Sequence, residues 1–241
     1  MTKPKAPPGG KRPIRGPAGG ARNMSTRLKT AEGRTTSSQR WLNRQLNDPY
    51  VLAAQAQGYR SRAAFKLLQI HERYRLLKPG MRVLDLGAAP GGWSQVAAKL
   101  VGAGESKGGK VVAVDIQGMA PLGDVEVMLE DFLAEGAETR IKAILGGQAD
   151  CVLSDMAEPA TGHRQTDHLR IMAMADTAAV FAAEILAPGG FFLCKVLQGG
   201  SEKELLTLLK RAFTSVKHVK PEASRADSAE LYVLATGFRG R

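Results

Sequence analysis

Residues 83–94 read VLDLGAAPGGWS. Four residues with the character of a buried strand lead into a glycine-rich turn, and the helix-like stretch Gln95–Val101 follows. In such a strand–turn–helix unit, glycine lets a nucleotide-like ligand approach the backbone closely because no side chain intervenes. The same turn is equally compatible with an ordinary tight connection between a strand and a helix.

The spacing of the glycines narrows the class of ligand. It is neither Gly-x-Gly-x-x-Gly, the dinucleotide signature, nor Gly-x-x-x-x-Gly-Lys-Ser/Thr, the phosphate-binding loop. No lysine directly follows the turn to hold a triphosphate. The turn therefore favours a ligand that has an adenosine but no pyrophosphate, and S-adenosylmethionine is the candidate.

Two acidic residues are candidates for hydrogen bonds to the adenosine part of such a ligand. Asp115 ends a second apolar run, Lys110–Asp115, and an acid at this position accepts hydrogen bonds from ribose hydroxyls in doubly wound sheets. Asp131 follows the short apolar run Val125–Leu129 and is placed to accept from an adenine amino group. The alternatives are a turn or cap role for Asp115 and a helix-cap role for Asp131.

The composition indicates one domain of ordinary size with an appendage, because the chain has 241 residues. The sequence contains neither a run of about 20 apolar residues nor a secretory signal, so we expect no membrane partner and a cytoplasmic protein. Cys151 and Cys194 lie in apolar runs and are interpreted as buried, inert thiols of a reducing compartment. The four histidines are scattered, so no metal site is predicted.

The net charge of +11 is concentrated in the first third of the chain. Residues 1–40 contain ten lysines and arginines but only one acidic residue, Glu32. Residues 1–38 are rich in proline, glycine and basic residues and are predicted to be a disordered basic tail, followed by one folded domain over 39–241. Because the charge continues into that domain, a polyanion is the expected partner. A tail that only aids solubility and an organelle transit peptide are the alternatives.

From Met81 onward the pattern alternates between strands and helices. The pattern predicts an α/β fold with a seven-stranded, mostly parallel sheet and helices on both faces. Only residues 221–229 join the last two strands, which is too short for a crossover helix, so these strands should pair antiparallel. That is the Rossmann-like architecture of S-adenosylmethionine-dependent methyltransferases. The predicted strands are Arg82–Leu86, Val111–Asp115, Val125–Leu129, Asp150–Asp155, Phe191–Val196, Ser215–Lys220 and Glu230–Ala235. The predicted helices are Asn47–Gln57, Ser61–Tyr74 with Ser61 as its N-cap, Trp93–Val101, 134–145, Asp167–Leu186 and Glu202–Phe213.

Charged residues interrupt this pattern where apolar residues are expected. Lys195 lies in an otherwise apolar strand, and burial of an ammonium group costs several kcal/mol unless it is paired. Asp155 closes the preceding strand at the same sheet edge, where ligands of parallel sheets bind. Glu230 starts the final antiparallel strand and should reach that edge too. Lys66, on the helix predicted over Ser61–Tyr74, is a further charged candidate. Solvent exposure of Lys195, Lys66 and Glu230 and a loop-capping role for Asp155 are the alternatives.

Taken together, these residues resemble the FtsJ/RrmJ (RlmE) family of ribosomal RNA ribose 2′-O-methyltransferases. The matching segments are YRSRAAFKL (59–67), the loop Leu84–Gln95, SDMA (154–157), KVLQG (195–199), and Ser224-Arg225 through the strand ELYV (230–233). They span about residues 40–238. The resemblance departs at 158–162, where Glu-Pro-Ala-Thr-Gly replaces the usual Pro-Asn and small residue before glycine, which affects substrate contacts and leaves the catalytic set intact.

The resemblance implies an activity and a set of site residues. The activity is S-adenosylmethionine-dependent 2′-O-methylation of a uridine ribose in the 23S ribosomal RNA of the large subunit, carried out by a monomer on the assembled or nearly assembled subunit. The implied catalytic set is Lys66, Asp155, Lys195 and Glu230. The implied cofactor contacts are Gly91, Trp93, Asp115, Asp131 and Asp155.

Four other classes of protein compete with this interpretation. A base methyltransferase is disfavoured because residues 154–157 lack the Asp/Asn-Pro-Pro-aromatic motif and the two cysteines lie inside strands. A nicotinamide-dependent oxidoreductase is disfavoured by the glycine spacing. A non-catalytic RNA-binding factor for ribosome assembly, or an RNA methyltransferase acting at another site, remains as the alternative.

Overall fold

The structure is a computed structural model that describes residues 46–157, 161–199 and 202–240. The predicted basic tail, residues 1–38, lies outside the described residues. The same is true of residues 158–160, where the chain departs from the pattern of the family that it resembles.

The described part of the chain contains seven strands and six helices. The strands are β1 Arg82–Leu86, β2 Lys110–Asp115, β3 Glu126–Leu129, β4 Ala149–Ser154, β5 Leu186–Leu197, β6 Phe213–Val219 and β7 Glu230–Phe238. The helices are α1 Pro49–Ala56, α2 Ala63–Tyr74, α3 Gly92–Val101, α4 Ala137–Leu145, α5 Arg164–Ile185 and α6 Lys203–Ala212. Every strand and helix predicted from the sequence is therefore present. The bounds of β1 match the prediction, and the bounds of the other elements differ from it by one to five residues at one or both ends.

The strands form one sheet in the order β3-β2-β1-β4-β5-β7-β6. The first five are mutually parallel, and β7 runs antiparallel to both β5 and β6. The predicted seven-stranded, mostly parallel sheet with an antiparallel last strand is confirmed. In the register of β5 and β7, Leu197 pairs with Glu230 and Lys195 pairs with Tyr232. The start of β7 therefore lies beside the carboxyl end of β5.

Helices cover both faces of the sheet. Successive residues of each strand point to opposite sides, and the apolar residues on both sides are buried by packing against helices. Leu84 and Leu86 of β1 pack into a core with α4, α5 and α6, which includes Ile141 and Ile185. Val83 faces the other way, into a core built with α2 and α3. Burial on both faces explains why the parallel strands read as nearly continuous apolar runs.

Both cysteines are buried free thiols, as predicted. Burial raises the pKa of Cys194 to about 12 and the pKa of Cys151 well above its usual value. Both thiols are therefore protonated at neutral pH, which suits a packing role.

One local prediction at a helix start was wrong. The helix α2 begins at Ala63 with Arg62 as its cap residue, and Ser61 does not cap it. The Ser61 hydroxyl instead lies against Gly92, and no hydrogen-bond partner for it exists among the described residues. The helix α4 begins at Ala137, three residues after the predicted start at 134, with Gly136 as its cap residue.

None of the helices in the described ranges has both the length and the apolar character that crossing a membrane would require.

Candidate active site

A cavity of about 660 Å³ opens at the carboxyl ends of β1, β2, β3 and β4. This is the edge where parallel sheets bind ligands, and the volume lies within the range of small-molecule sites. Its polar lining includes Asp115, Asp131 and Asp155, and its apolar lining includes Ile116 and Phe132. Three of the five residues predicted to contact a cofactor therefore line one cavity.

Asp115 joins two of the loops that border this cavity. Its Oδ2 accepts a hydrogen bond of 2.8 Å from the backbone N–H of Ala89, in the glycine-rich turn. Its Oδ1 accepts one of 2.7 Å from the N–H of Gln117, in its own loop. Asp115 therefore has the turn role and also lines the cavity, and its carboxylate has acceptor sites left for a ligand. The contact with ribose hydroxyls stays a prediction.

Asp131 lines the same cavity and follows β3, the neighbour of β2 in the sheet. Its Oδ1 accepts a hydrogen bond of 2.9 Å from the N–H of Leu133, which closes a local turn. The helix-cap alternative for this residue is wrong, since α4 starts six residues later.

Gly91 and Trp93 are not among the described residues that line the cavity. The indole of Trp93 is buried in the core against α2, where its N–H donates to the carbonyl of Ala63 at 2.8 Å. The glycine of the turn that does line the cavity is Gly87, which has a φ of 66°. A Cβ at Gly87 would lie 2.2 Å from Cγ of Met156, so this position has no room for a side chain.

Lys195 and Asp155 form a buried ion pair beside the cavity. Lys195 Nζ lies 2.9 Å from Asp155 Oδ1 and donates to the backbone carbonyl of Asp155 at 2.8 Å. A third oxygen, the carbonyl of Met156, lies 3.4 Å away. These three oxygens match the three N–H donors of an ammonium group, which is how a lysine that is only 8% exposed is accommodated.

Lys66 and Glu230 complete the cluster from the other side. Lys66 Nζ donates to Glu230 Oε2 at 2.8 Å and lies 3.7 Å from Asp155 Oδ2. The other oxygen of Glu230 accepts from the hydroxyl of Ser224 at 2.7 Å. Lys66 and Glu230 also line a second, smaller cavity of about 210 Å³, together with Arg62 and Arg225. The four residues predicted to form a catalytic set thus lie together between two cavities.

The charges of this cluster lower the pKa of Asp155. Burial alone would raise the pKa of its carboxyl, but Lys195 and Lys66 outweigh burial and hold the pKa below its usual value. Asp155 is therefore ionised at neutral pH.

Tyr232 is a member of the cluster that the sequence reasoning did not identify. Its hydroxyl donates to Asp155 Oδ1 at 2.7 Å, and its ring packs against Trp93 at a centroid distance of 5.5 Å. Burial, and then the negative charges of Asp155 and Glu230, raise the pKa of the Tyr232 hydroxyl well above its usual value, so it stays a donor. Its position two residues after Glu230, on the same strand face, was the available signal.

Asp85 is a buried carboxyl beneath the glycine-rich turn and was not singled out from the sequence. It is 1% exposed, and its Oδ2 accepts a hydrogen bond of 2.6 Å from the hydroxyl of Ser94. Burial is the main cause that raises its pKa to about 7, with smaller contributions from the charges of Asp155 and Asp115.

Within the described ranges, no group of three or more His, Cys, Asp or Glu side chains has an arrangement that could hold a metal ion.

The sequence was compared with protein families and with curated proteins. The sequence model of the FtsJ-like methyltransferase family matches residues 59–238. A protein of Parvibaculum lavamentivorans named ribosomal RNA large subunit methyltransferase E is 59% identical over 233 residues, covering 94% of this chain and 92% of that protein. One of the same name from Xanthobacter autotrophicus is 62% identical over 228 residues, covering 95% and 89%.

The fold was also compared with solved structures. A Plasmodium falciparum protein, solved as a candidate ribosomal RNA methyltransferase, matches with a TM-score of 0.67 and 30% sequence identity. The match covers 76% of this chain and all of that one.

Proposed function

Since the chain belongs to the FtsJ-like methyltransferase family, we propose that it transfers a methyl group from S-adenosylmethionine to the 2′-hydroxyl of a uridine ribose in 23S ribosomal RNA. The expected substrate is the assembled or nearly assembled large ribosomal subunit. The names of the relatives support the RNA class, because they specify large-subunit ribosomal RNA and match over nearly the whole chain.

The residues of the larger cavity fit S-adenosylmethionine. Asp115 retains acceptor capacity for ribose hydroxyls, and Asp131 Oδ2 is available for an adenine amino group. Ile116, Phe132 and Leu133 offer an apolar lining for the adenine ring. Gly91 and Trp93 lie outside this lining, so we propose that any contribution from them comes through the shape of the turn and the start of α3.

S-adenosylmethionine, when bound, supplies an electrophilic methyl group on a sulfonium. The task left to this chain is to hold a ribose hydroxyl in line with that group and to manage its proton. Asp155 carries the proposal, because it lines the cofactor cavity and is also ion-paired with Lys195. The substrate hydroxyl is expected beside this ion pair, at the edge of the cofactor cavity, where both reactants meet.

Lys195 is proposed to orient the hydroxyl. Its longest contact, 3.4 Å to the carbonyl of Met156, is the one that a substrate oxygen would replace. Donation from Nζ to that oxygen would direct its free lone pair toward the methyl group. The new O–C bond would form as the bond from the methyl group to sulfur breaks, and the hydroxyl proton would then pass to solvent water. In the alternative, Lys195 first loses a proton and then accepts that of the hydroxyl as a general base.

Lys66 and Glu230 are proposed to set the charge around this pair. Lys66 lies between two carboxylates, 2.8 Å from Glu230 and 3.7 Å from Asp155. It therefore keeps Asp155 ionised while Glu230 balances its own charge. The small cavity that Lys66 and Glu230 line with two arginines is the proposed entrance for the RNA strand.

The basic first third of the chain is proposed to hold the RNA, since lysine and arginine contacts release counterions from phosphates. This assigns RNA binding to the tail over 1–38 and methyl transfer to the domain over 39–241. We further propose that the protein acts as a monomer in the cytoplasm.

Mapping of 2′-O-methyl groups in ribosomal RNA tests the function directly. Cells that lack this protein should lose one methyl group from a uridine of 23S RNA. The wild-type gene should restore it, and a gene encoding Lys195→Ala should not. Purified protein should transfer labelled methyl groups to isolated large subunits from such cells. An unchanged methylation map, or transfer to a base instead of a ribose, would contradict the proposal.

A further inference from the structure

Arg60 places its guanidinium against backbone carbonyls from two separate loops. Nη1 donates to the carbonyl of Pro90 at 3.2 Å and to that of Ala120 at 2.7 Å, while Nη2 donates to the carbonyl of Pro121 at 2.5 Å. Pro90 belongs to the glycine-rich turn after β1, and the other two belong to the loop between β2 and β3. One side chain thus ties two loops that are otherwise separate in sequence.

These two loops border the proposed cofactor cavity. Ala89 of the first loop, and Ile116 and Gln117 of the second, line it. Asp115 bridges the same loops at their base through the N–H of Ala89. Arg60 bridges them a second time, from the outer side, with a charged group whose hydrogen bonds are stronger than neutral ones.

Gly91 packs directly against this arginine. A Cβ at Gly91 would lie 3.2 Å from Nη1 and 3.3 Å from Cδ of Arg60. The φ of Gly91 is 101°, a conformation that favours glycine. The turn is therefore shaped to accept the guanidinium as well as to start α3.

The backbone of the same segment is fastened to α3. The N–H of Arg60 donates to Gln95 Oε1 at 2.7 Å, and Gln95 Nε2 donates to the carbonyl of Gly58 at 3.0 Å. The chain then runs directly into α2, which carries Lys66. Arg60 consequently connects the borders of the cofactor cavity to the helix that carries one of the four clustered residues.

We propose that Arg60 is a positioning residue that holds the two loops around the cofactor in their binding arrangement. Its own contacts are to protein backbone, so its role differs from that of the basic residues expected to meet RNA phosphates. The inference rests on the proposed function, because it takes the larger cavity as the site of S-adenosylmethionine.

The test compares full-length wild-type protein with Arg60→Met, Arg60→Lys and a matched control, Arg73→Met. Arg73 lies exposed on α2 and stacks on the ring of Tyr74, away from both cavities. Calorimetric titration with S-adenosylhomocysteine should show binding about tenfold weaker for Arg60→Met, partly restored by Arg60→Lys, and unchanged for Arg73→Met.

Kinetics separate a positioning role from general destabilisation. The KM for S-adenosylmethionine should rise by about tenfold in Arg60→Met, while kcat at saturating cofactor changes by less than about threefold. RNA affinity measured without cofactor should equal that of the wild type. If Arg60→Met fails to fold, Arg60→Gln, which keeps two N–H donors, takes its place in both measurements.

Two results would overturn the inference while leaving the proposed function standing. One is wild-type affinity of Arg60→Met for S-adenosylhomocysteine. The other is weakened RNA binding with cofactor affinity intact, which would make Arg60 an RNA contact. Failure of the wild-type protein itself to bind S-adenosylhomocysteine would instead refute the proposed function, and the inference with it.

Discussion

The hydroxyl of Tyr232 donates a 2.7 Å hydrogen bond to Oδ1 of Asp155, the oxygen that also lies 2.9 Å from Lys195 Nζ. One carboxylate oxygen is therefore held by a tyrosine and a lysine at the same time. The two contacts therefore orient the carboxylate of Asp155 before any substrate binds.

Tyr232→Phe removes this hydrogen bond and leaves the packing against Trp93 in place. Hydrogen bonds to charged groups contribute about 1.5–3 kcal/mol, so kcat for methyl transfer should fall by about tenfold or more. Affinity for S-adenosylhomocysteine should not change. Tyr74→Phe, at the end of α2, is the matched control and should keep full activity. Equal activity of the two variants would show that Asp155 needs no help from Tyr232.

Lys195→Ala should abolish turnover and leave cofactor affinity nearly intact, because Lys195 contacts Asp155 and not the larger cavity. A labelled methyl-transfer assay and a calorimetric titration measure the two quantities. Lys99→Ala, exposed on α3, serves as the control. Substantial turnover by Lys195→Ala would remove the assignment.

Lys195→Arg separates the two proposed roles of this lysine. A guanidinium does not give up its proton at neutral pH, so it cannot act as a base, although it can still donate to an oxygen. Residual activity well above that of Lys195→Ala would support orientation of the hydroxyl. Activity equal to that of Lys195→Ala would favour the general-base alternative.

Asp85→Asn should stabilise the protein more at pH 8 than at pH 5. The folded-state pKa of Asp85, about 7, lies above the unfolded value of 3.8, so the folded state binds the extra proton. The favourable contribution of Asp85 is complete below about pH 4 and is lost as the pH rises through about 7. Urea unfolding of the wild type and of Asp85→Asn measures the free energy of unfolding of each protein. The difference between the two proteins should be larger by a few kcal/mol at pH 8 than at pH 5. Parallel pH profiles would contradict the expectation.

Gly87→Ala should weaken both folding and cofactor binding. The new methyl group would collide with Met156, and a φ of 66° strains any side chain. We expect a loss of about 1–3 kcal/mol in the free energy of unfolding, and weaker binding of S-adenosylhomocysteine in a titration. Gly118→Ala is the control, since none of the described heavy atoms lies within 4 Å of its added Cβ. Normal cofactor binding by Gly87→Ala would mean that the turn tolerates a side chain.

Deletion of residues 1–38 should weaken RNA association and flatten its dependence on salt. Each phosphate contact contributes about 0.7–0.9 to the slope of log affinity against log salt. Binding titrations at several salt concentrations measure the slope, and cofactor affinity should be retained. A slope that is the same with and without these residues would show that they do not contact RNA.

The sequence predicted regular elements well where neighbouring residues decide them. The bounds of β1, Arg82–Leu86, match the prediction, because strand character and the following glycine turn are both local signals. Predictions failed where a distant contact competes with a local preference. Ser61 is a good cap residue by type, yet its hydroxyl lies under Gly92 of α3.

The candidate site shows the same division. The position of Asp155 and Lys195 at strand ends pointed to the sheet edge, but Lys66 lies on a helix with no local sign of its role and came only from the family resemblance. Arg60 and Tyr232 were missed for a related reason. Their partners, Pro121 and Asp155, are 61 and 77 residues away in the chain.

By itself, the sequence determined the alternation of strands and helices, the glycine turn and the concentration of positive charge in the first third, because side-chain type and spacing act over a few residues. Which charges meet depends on how the strands are arranged in three dimensions. The reversal of β7 brings Glu230 to Lys66 across 164 residues and sets Tyr232 opposite Lys195. These contacts depend on which strands are neighbours and on the register between them. The order and the register of the strands are in turn set by the need to bury apolar residues on both faces of the sheet.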